Sequence, residues 1–373
     1  MIIGVLKEIK TDEYRVAMIP GGVRQLVQKG HEIFIQSRAG LGAGYSDEAY
    51  REAGAQIAET ASEVTERAML VVKIKEPLDN EFHLFRDHQS IFGYLHSETR
   101  PALVDMLLKK QITAIAFENV ILPDGSFPLL FPMSIIAGQQ AVLQGMQFLW
   151  NHKGGIGKSL VSYPGLEPAQ VVVLGAGHAG TRAASVAAAL GCTVSLFEID
   201  RKRIRYLSLL LPHNISLLHT EAVSLSEYVC QADLLINATA IPPYSSPHLI
   251  DRLMVSRMKK GSVIIDLTAN LKGAIETVDH YTTHNDPVWE EYGVIHYAVS
   301  NIPGTVAHTA SQALSLELMP YLIEIADKGI LTALQQNSAL RAGLTAINGK
   351  LTWKEAGILQ NRLWCPPEEV NSE

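Results

Sequence analysis

At 373 residues the chain exceeds what one ordinary hydrophobic core supports, so two domains are expected. Its composition, 47% hydrophobic and 18% charged, is that of a packed globular protein and not of a disordered one. A formal net charge of −7, with no long basic run, excludes a broad electrostatic surface for nucleic acid or for an anionic membrane.

Met1 to Leu6 reads as a strand, with no basic segment followed by an apolar run of the signal-peptide kind. No apolar stretch reaches spanning length, so a soluble cytoplasmic protein is expected. Cys192, Cys230 and Cys365 are scattered, with neither disulfide density nor metal-ligand spacing, which predicts reduced structural thiols and no metal site. Short apolar runs then follow at Ile33 to Ile35, Leu70 to Ile74, Ile91 to Leu95 and Thr113 to Phe117. Between them lie helical patterns such as Gly22 to Lys29 and Pro101 to Lys110. Such alternation predicts parallel strands covered by helices on both faces.

A long helical stretch, Ser134 to Trp150, leads into the glycine-rich loop Lys153 to Lys158. Gly157-Lys158-Ser159 is not a phosphate-binding P-loop, because His152 stands where that motif needs its first glycine. The alternation restarts with Val171 to Leu174, Val194 to Phe197, Leu234 to Asn237, Val263 to Asp266 and Ile295 to Val299. One or two helices are expected from Val306 to Ile330. The predicted fold class is therefore α/β with two doubly wound domains. A Rossmann-type dinucleotide domain, residues 131–304, is inserted into a second α/β domain for substrate, residues 1–130 plus 305–373.

The sharpest motif is Val171-Val172-Val173-Leu174-Gly175-Ala176-Gly177-His178-Ala179-Gly180, a buried-type strand entering an alanine-rich helix. Gly175 suits the tight turn, Gly177 the approach of a pyrophosphate, and Gly180 close helix–strand packing. The helix N-terminus adds unpaired N–H groups and positive potential. Glu198, ending the next strand, suits ribose hydroxyls and would repel a 2′-phosphate, which favours NAD over NADP. The neighbouring Arg201, Lys202, Arg203 and Arg205 keep NADP open, since a basic cluster can host the extra phosphate. In the first domain Arg15, Lys75 and His96 fall beside successive strand ends, the makings of a carboxylate clamp with an acid/base.

These segments together resemble the alanine dehydrogenase family over nearly the whole chain. The matches run from Lys7-Glu8-Ile9-Lys10 through Glu13, Arg15-Val16-Ala17 and Pro20, then Ala39 to Asp47, Lys73 to Pro77 and Tyr94-Leu95-His96. They continue through Pro132-Met133-Ser134, Ala137-Gly138, Thr283 to Pro287, His296-Tyr297 and Asn301 to Gly304. The resemblance implies reversible oxidative deamination of L-alanine to pyruvate and ammonium, with NAD accepting the hydride. Residue by residue, it implies that Arg15 and Lys75 hold the substrate carboxylate and polarise its carbonyl or imine, and that His96 is the general acid/base. It places Ser134, Glu198, Arg203 and Asn301 around the dinucleotide and implies a homohexamer, with the helical stretch Ala313 to Ile330 available for contacts.

Three places depart from the family. Asn270 stands at the position of a catalytic aspartate, and it can hydrogen-bond water or ammonia but cannot take a proton. Ile135 and Gln139 replace a glutamate and an arginine, the neutral swap of an ion pair. Ala307-His308-Thr309 replaces proline-arginine-threonine beside the cofactor. Three alternatives remain open: the nucleotide-binding subunit of a proton-translocating transhydrogenase, a paralogue that only binds NAD, and a dehydrogenase of another amino or imino acid.

Overall fold

The computed structural model describes residues 1–242 and 244–370. It divides into two compact units, one of Met1–Met133 together with the chain from Gly304 on, the other Ser134–Pro303.

The first unit is built on β1 (Ile2–Val5), β2 (Glu32–Gln36), β3 (Gln56–Ala58), β4 (Leu70–Val72), β5 (Ser90–Gly93) and β6 (Thr113–Ala116). These six are mutually parallel in the order β3-β2-β1-β4-β5-β6. The apolar runs are unbroken because both faces are covered: every residue of β4 is fully buried. Local signals set the connecting helices. Thr60 and Glu63 form a reciprocal capping box that starts the helix Ala61–Arg67, and Pro101 takes the first position of Pro101–Lys109.

The second unit repeats the winding with β7 (Gln170–Leu174), β8 (Thr193–Glu198), β9 (Ile215–His219), β10 (Leu234–Asn237), β11 (Val263–Asp266), β12 (Val288–Glu291) and β13 (Val294–Tyr297). Its order is β9-β8-β7-β10-β11-β13-β12, parallel except for β12. The chain then returns to the first sheet as the antiparallel hairpin β14 (Leu344–Ile347) and β15 (Lys350–Leu351), which extends it beyond β6. Both sheets therefore reverse winding direction beside their first strand, between β1 and β4 and between β7 and β10. The crevice at the carboxyl ends of those strands is where open α/β sheets bind ligands.

Two helical expectations are refined. The long helix runs Phe131–Phe148, and the C-terminal stretch is one helix, Ala307–Lys328, that continues through Pro320. Gly329, at φ 82°, ends it before a separate helix, Ile330–Gln336. Among the described residues no helix is long and apolar enough to cross a membrane, and no cluster of three or more metal-ligating side chains is present.

Candidate active site

At the reversal point of the first sheet, the loop after β1 supplies Arg15, the segment after β4 supplies Lys75, and the turn after β5 supplies His96. Arg15 is 3% exposed, and its guanidinium is fixed by Glu13, which accepts from Nε at 2.7 Å and from Nη2 at 2.5 Å. Nη1 points at the Met133 sulfur, 2.9 Å away, a weak acceptor that a carboxylate would displace with gain. Desolvation of the buried pair is offset by the bidentate contact, which holds the Glu13 carboxyl below its ordinary range.

Two lysines leave β4, and their surroundings separate them. Lys73 is buried and neutralised, 2.7 Å from Glu81 and 3.6 Å from Glu8. Lys75 makes no hydrogen bond or ion pair with a described residue. Burial, then the positive charge of Arg15, pushes its amine down to about 8. Nearby Lys10 and Arg100 are both spent on Glu76, at 2.7 Å each. Two cations on one carboxylate leave net positive charge there, and Lys75 adds to it without an ion-pair partner among the described residues.

His96 takes the left-handed conformation, φ 45°, and its ring lies parallel to that of Tyr94, with centroids 6.3 Å apart. Glu118, at the end of β6, accepts from the backbone N–H of Leu95 at 3.0 Å and of His96 at 2.6 Å, which pins this strained turn. Its oxygen stands 3.8 Å from His96 Nδ1, beyond hydrogen-bond reach. Desolvation, then the charge of Lys75, pushes the imidazole down to about 4, so the ring is neutral at physiological pH. Glu13 and Glu118 hold these side chains in place, and neither was assigned to the site from sequence. An acidic residue closing the apolar strand β6 is the signal that could have found Glu118.

In the second unit, the turn after β7 has the form a pyrophosphate needs. Gly175 sits at φ 84°, and a Cβ on Gly180 would lie 1.8 Å from the Gly175 carbonyl oxygen. A Cβ on Gly177 would meet nothing within 4 Å, leaving that face open to a ligand. Beside the turn is a cavity of about 650 Å³, walled by Gly175, Gly177, Phe197, Glu198, Thr239 and Ile241 among others. Mostly apolar with two carboxylates at its wall, Glu198 and Glu221, it fits a nucleoside. Glu198 accepts from the backbone N–H groups of Ala176, Ile199 and Asp200 at 3.0, 2.7 and 3.0 Å, which fixes its carboxylate with lone pairs to spare. Arg203 turns inward, donating to the Ala176 carbonyl and lying 4.0 Å from Glu198. Arg201 and Arg205 line an adjoining open depression of about 420 Å³, which shares Glu221 with that cavity.

The other candidates are more dispersed. Ser134 lies on the helix Phe131–Phe148, one turn before Gly138, where a Cβ would come within 2.1 Å of the Ala179 carbonyl oxygen. That helix therefore packs directly on the one that begins the pyrophosphate turn. Asn301 follows β13 at φ 70°. Asn270 follows β11, and its Nδ2 donates to the Ile241 carbonyl at 2.7 Å. Gln139 accepts from the Arg182 guanidinium at 2.8 and 3.0 Å once its amide is oriented to suit that donor. His308, in the first unit, donates from Nδ1 to the Ala43 carbonyl, 2.6 Å away, and stacks on Tyr45, so it braces the loop Ala39 to Asp47.

Two reversal-point crevices, one with a cationic clamp and one with a glycine turn, define a two-unit α/β protein with a Rossmann-type dinucleotide fold. The comparisons agree in detail. The alanine dehydrogenase/PNT N-terminal domain family matches residues 4–137, and its C-terminal domain family matches residues 141–354. The alanine dehydrogenase of Bacillus subtilis is 45% identical over 371 residues, covering 99% of this chain and 97% of that one. That of Methanococcus maripaludis is 43% identical over 373 residues, covering 100% of both. A solved structure of an L-alanine dehydrogenase superposes with a TM-score of 0.92 at 42% identity, over 97% of this chain and 99% of that one. The chain belongs to the alanine dehydrogenase/PNT family.

Proposed function

We propose that the chain catalyses reversible NAD-linked oxidative deamination: L-alanine, NAD and water give pyruvate, ammonium, NADH and a proton. The observation that carries the reading is Lys75, an unpartnered cation beside the rigidly held Arg15. Together they form a site for a small carboxylate that also bears an amino, imino or oxo group. The relatives named alanine dehydrogenase support the same substrate.

Arg15 takes the substrate carboxylate through the edge now facing Met133, with Glu13 fixing its plane. Lys75, when charged, donates to the oxygen of pyruvate or polarises the imine carbon for attack by water. His96, neutral at working pH, takes the proton of that water and later returns it to the departing nitrogen. Asn270, with one amide N–H given to Ile241, keeps its second N–H and its side-chain oxygen for ammonia or water. Bound NAD supplies the acceptor for the hydride leaving the substrate Cα. In the second unit the Gly175–Gly180 turn would hold its pyrophosphate and Glu198 its ribose, with Arg203 beside them; Ser134 and Asn301 are assigned to the dinucleotide on the family resemblance alone. A cytoplasmic homohexamer completes the reading, and light scattering at working concentration checks the assembly.

NADH formation by the purified protein with L-alanine, against a panel of larger L-amino acids, tests the substrate. Alanine should be turned over best. Faster turnover of another amino acid would reassign the pocket, and binding of NADH without any turnover would reduce the protein to a nucleotide-binding paralogue.

A further inference from the structure

We infer that Asn270 is a positioning residue for the nucleotide cavity: its amide clamps the segment after β10 that forms one wall. The inference rests on the nucleotide reading above and adds a structural task for a residue at a place where the family resemblance implies a carboxylate.

The cavity wall includes Ala238, Thr239, Ala240 and Ile241. Thr239 is tied at its own end, because its N–H and hydroxyl both donate to Asn237 Oδ1, at 3.1 and 2.6 Å. Ile241 lies past that anchor. Its carbonyl oxygen is held by Asn270 Nδ2 at 2.7 Å, and no backbone N–H of a described residue donates to it. A second observation marks the same spot. A Cβ on Gly273 would lie 3.0 Å from the Ile241 oxygen and 3.0 Å from the Asn270 Cβ, so the absence of a side chain at 273 permits this approach. Farther along, Tyr244 N–H donates to the Leu271 carbonyl at 2.8 Å, which continues the contact between the two segments.

The donor itself is held in place. The buried Asp266 gathers four donors on one oxygen: Asn237 Nδ2 at 2.9 Å, Thr268 N–H at 3.0 Å, Thr268 Oγ1 at 2.8 Å and Ala269 N–H at 3.1 Å. That knot fixes Ala269 in the left-handed conformation, φ 47°, and Asn270 next to it. An ionised aspartate at 270 has no proton to donate and would set a negative charge against the Ile241 carbonyl. Restoring the carboxylate here would therefore loosen the wall. A protonated aspartic acid, by contrast, could donate in place of the amide.

The test compares the full-length protein with Asn270→Asp and Asn270→Ala. NADH binding is read by fluorescence titration near pH 8 and near pH 5.5, a range that brackets a carboxyl raised from its ordinary value by burial. Amide hydrogen exchange at Thr239 and Tyr244 is read without nucleotide. Asn270→Asp should bind NADH about tenfold more weakly at the higher pH, since a wall ordered only part of the time lowers apparent affinity by that fraction. At the lower pH it should recover most of the loss. Asn270→Ala should be weakened equally at both pH values, and exchange should quicken in both variants near pH 8. Unchanged exchange overturns the clamp, as does NADH affinity within about twofold of the parent or a loss in Asn270→Asp that does not ease on acidification. If the parent protein does not bind NADH at all, the nucleotide reading falls, and the exchange rates still decide the clamp.

Discussion

Glu13 and Arg15, two residues apart in a loop, are locked together by two parallel hydrogen bonds of 2.7 and 2.5 Å, with both side chains buried. A free arginine would reorient with each ligand, whereas this one presents a fixed edge. Glu13→Gln keeps the size but breaks the charge-assisted pairing, leaving a buried guanidinium poorly compensated. The KM for L-alanine should rise by about tenfold or more, equivalent to about 1.4 kcal/mol. NADH affinity should be unchanged, because the glycine turn lies in the other unit. Steady-state kinetics with a parallel NADH titration checks both halves.

Lys75 sets a pH limit on carboxylate binding. Its amine is pushed down to about 8, so the charged form that attracts a carboxylate is present below that pH and is lost as pH rises through it. Pyruvate affinity should therefore fall above about pH 8. Lys75→Arg, which stays charged, should flatten the fall while losing turnover, because a planar guanidinium cannot take the place of a compact ammonium. A pH series of pyruvate KM values for the two proteins measures this.

Glu8 gives a stability prediction with a definite sign. Burial pushes its carboxyl up to about 7, despite the opposing charge of Lys73. A raised acid pKa means that the folded state holds the proton more tightly than the unfolded chain. Its contribution is full below the ordinary value and is lost as pH climbs through about 7. Glu8→Gln keeps an acceptor for the Ile74 N–H, now bonded at 2.7 Å, and removes the titration. The Tm of the parent should fall relative to that of Glu8→Gln between roughly pH 5 and roughly pH 8, a window around the shifted group. Parallel curves in calorimetric melts would show that Glu8 does not titrate there.

Nucleotide choice should turn on Glu198. With its carboxylate fixed by three backbone N–H groups at the cavity wall, it should accept ribose hydroxyls and repel a 2′-phosphate. Glu198→Ala should weaken NADH binding and narrow its advantage over NADPH. Equal dissociation constants for the two nucleotides in the parent protein would overturn this assignment.

Much of the fold was legible because parallel strands buried on both faces are written as unbroken apolar runs, as at Val171 to Leu174. The short edge strands β3, β9, β12 and β15 escaped, since strands of two to five residues with exposed positions carry no such run. β14 is buried throughout but is four residues long, with Thr345 breaking its apolar run. Lys75 and His96 were visible as polar residues just past apolar strands, and Arg15 as a cation in the loop after β1. The partners that position them were not. Glu118 reaches His96 across 22 residues of chain, through the pairing of β5 with β6, and no local pattern encodes that. Periodicity likewise cannot show that Asn270 faces Ile241, 29 residues away.

The most direct test of the proposed chemistry is alanine-dependent NADH formation by the parent protein and by His96→Ala, with NADH affinity measured on both. If His96 is the acid/base, the parent should turn over steadily. His96→Ala should lose about a hundredfold or more in kcat, the usual worth of a positioned acid/base, with NADH affinity unchanged. Turnover of His96→Ala within a few-fold of the parent would contradict that role.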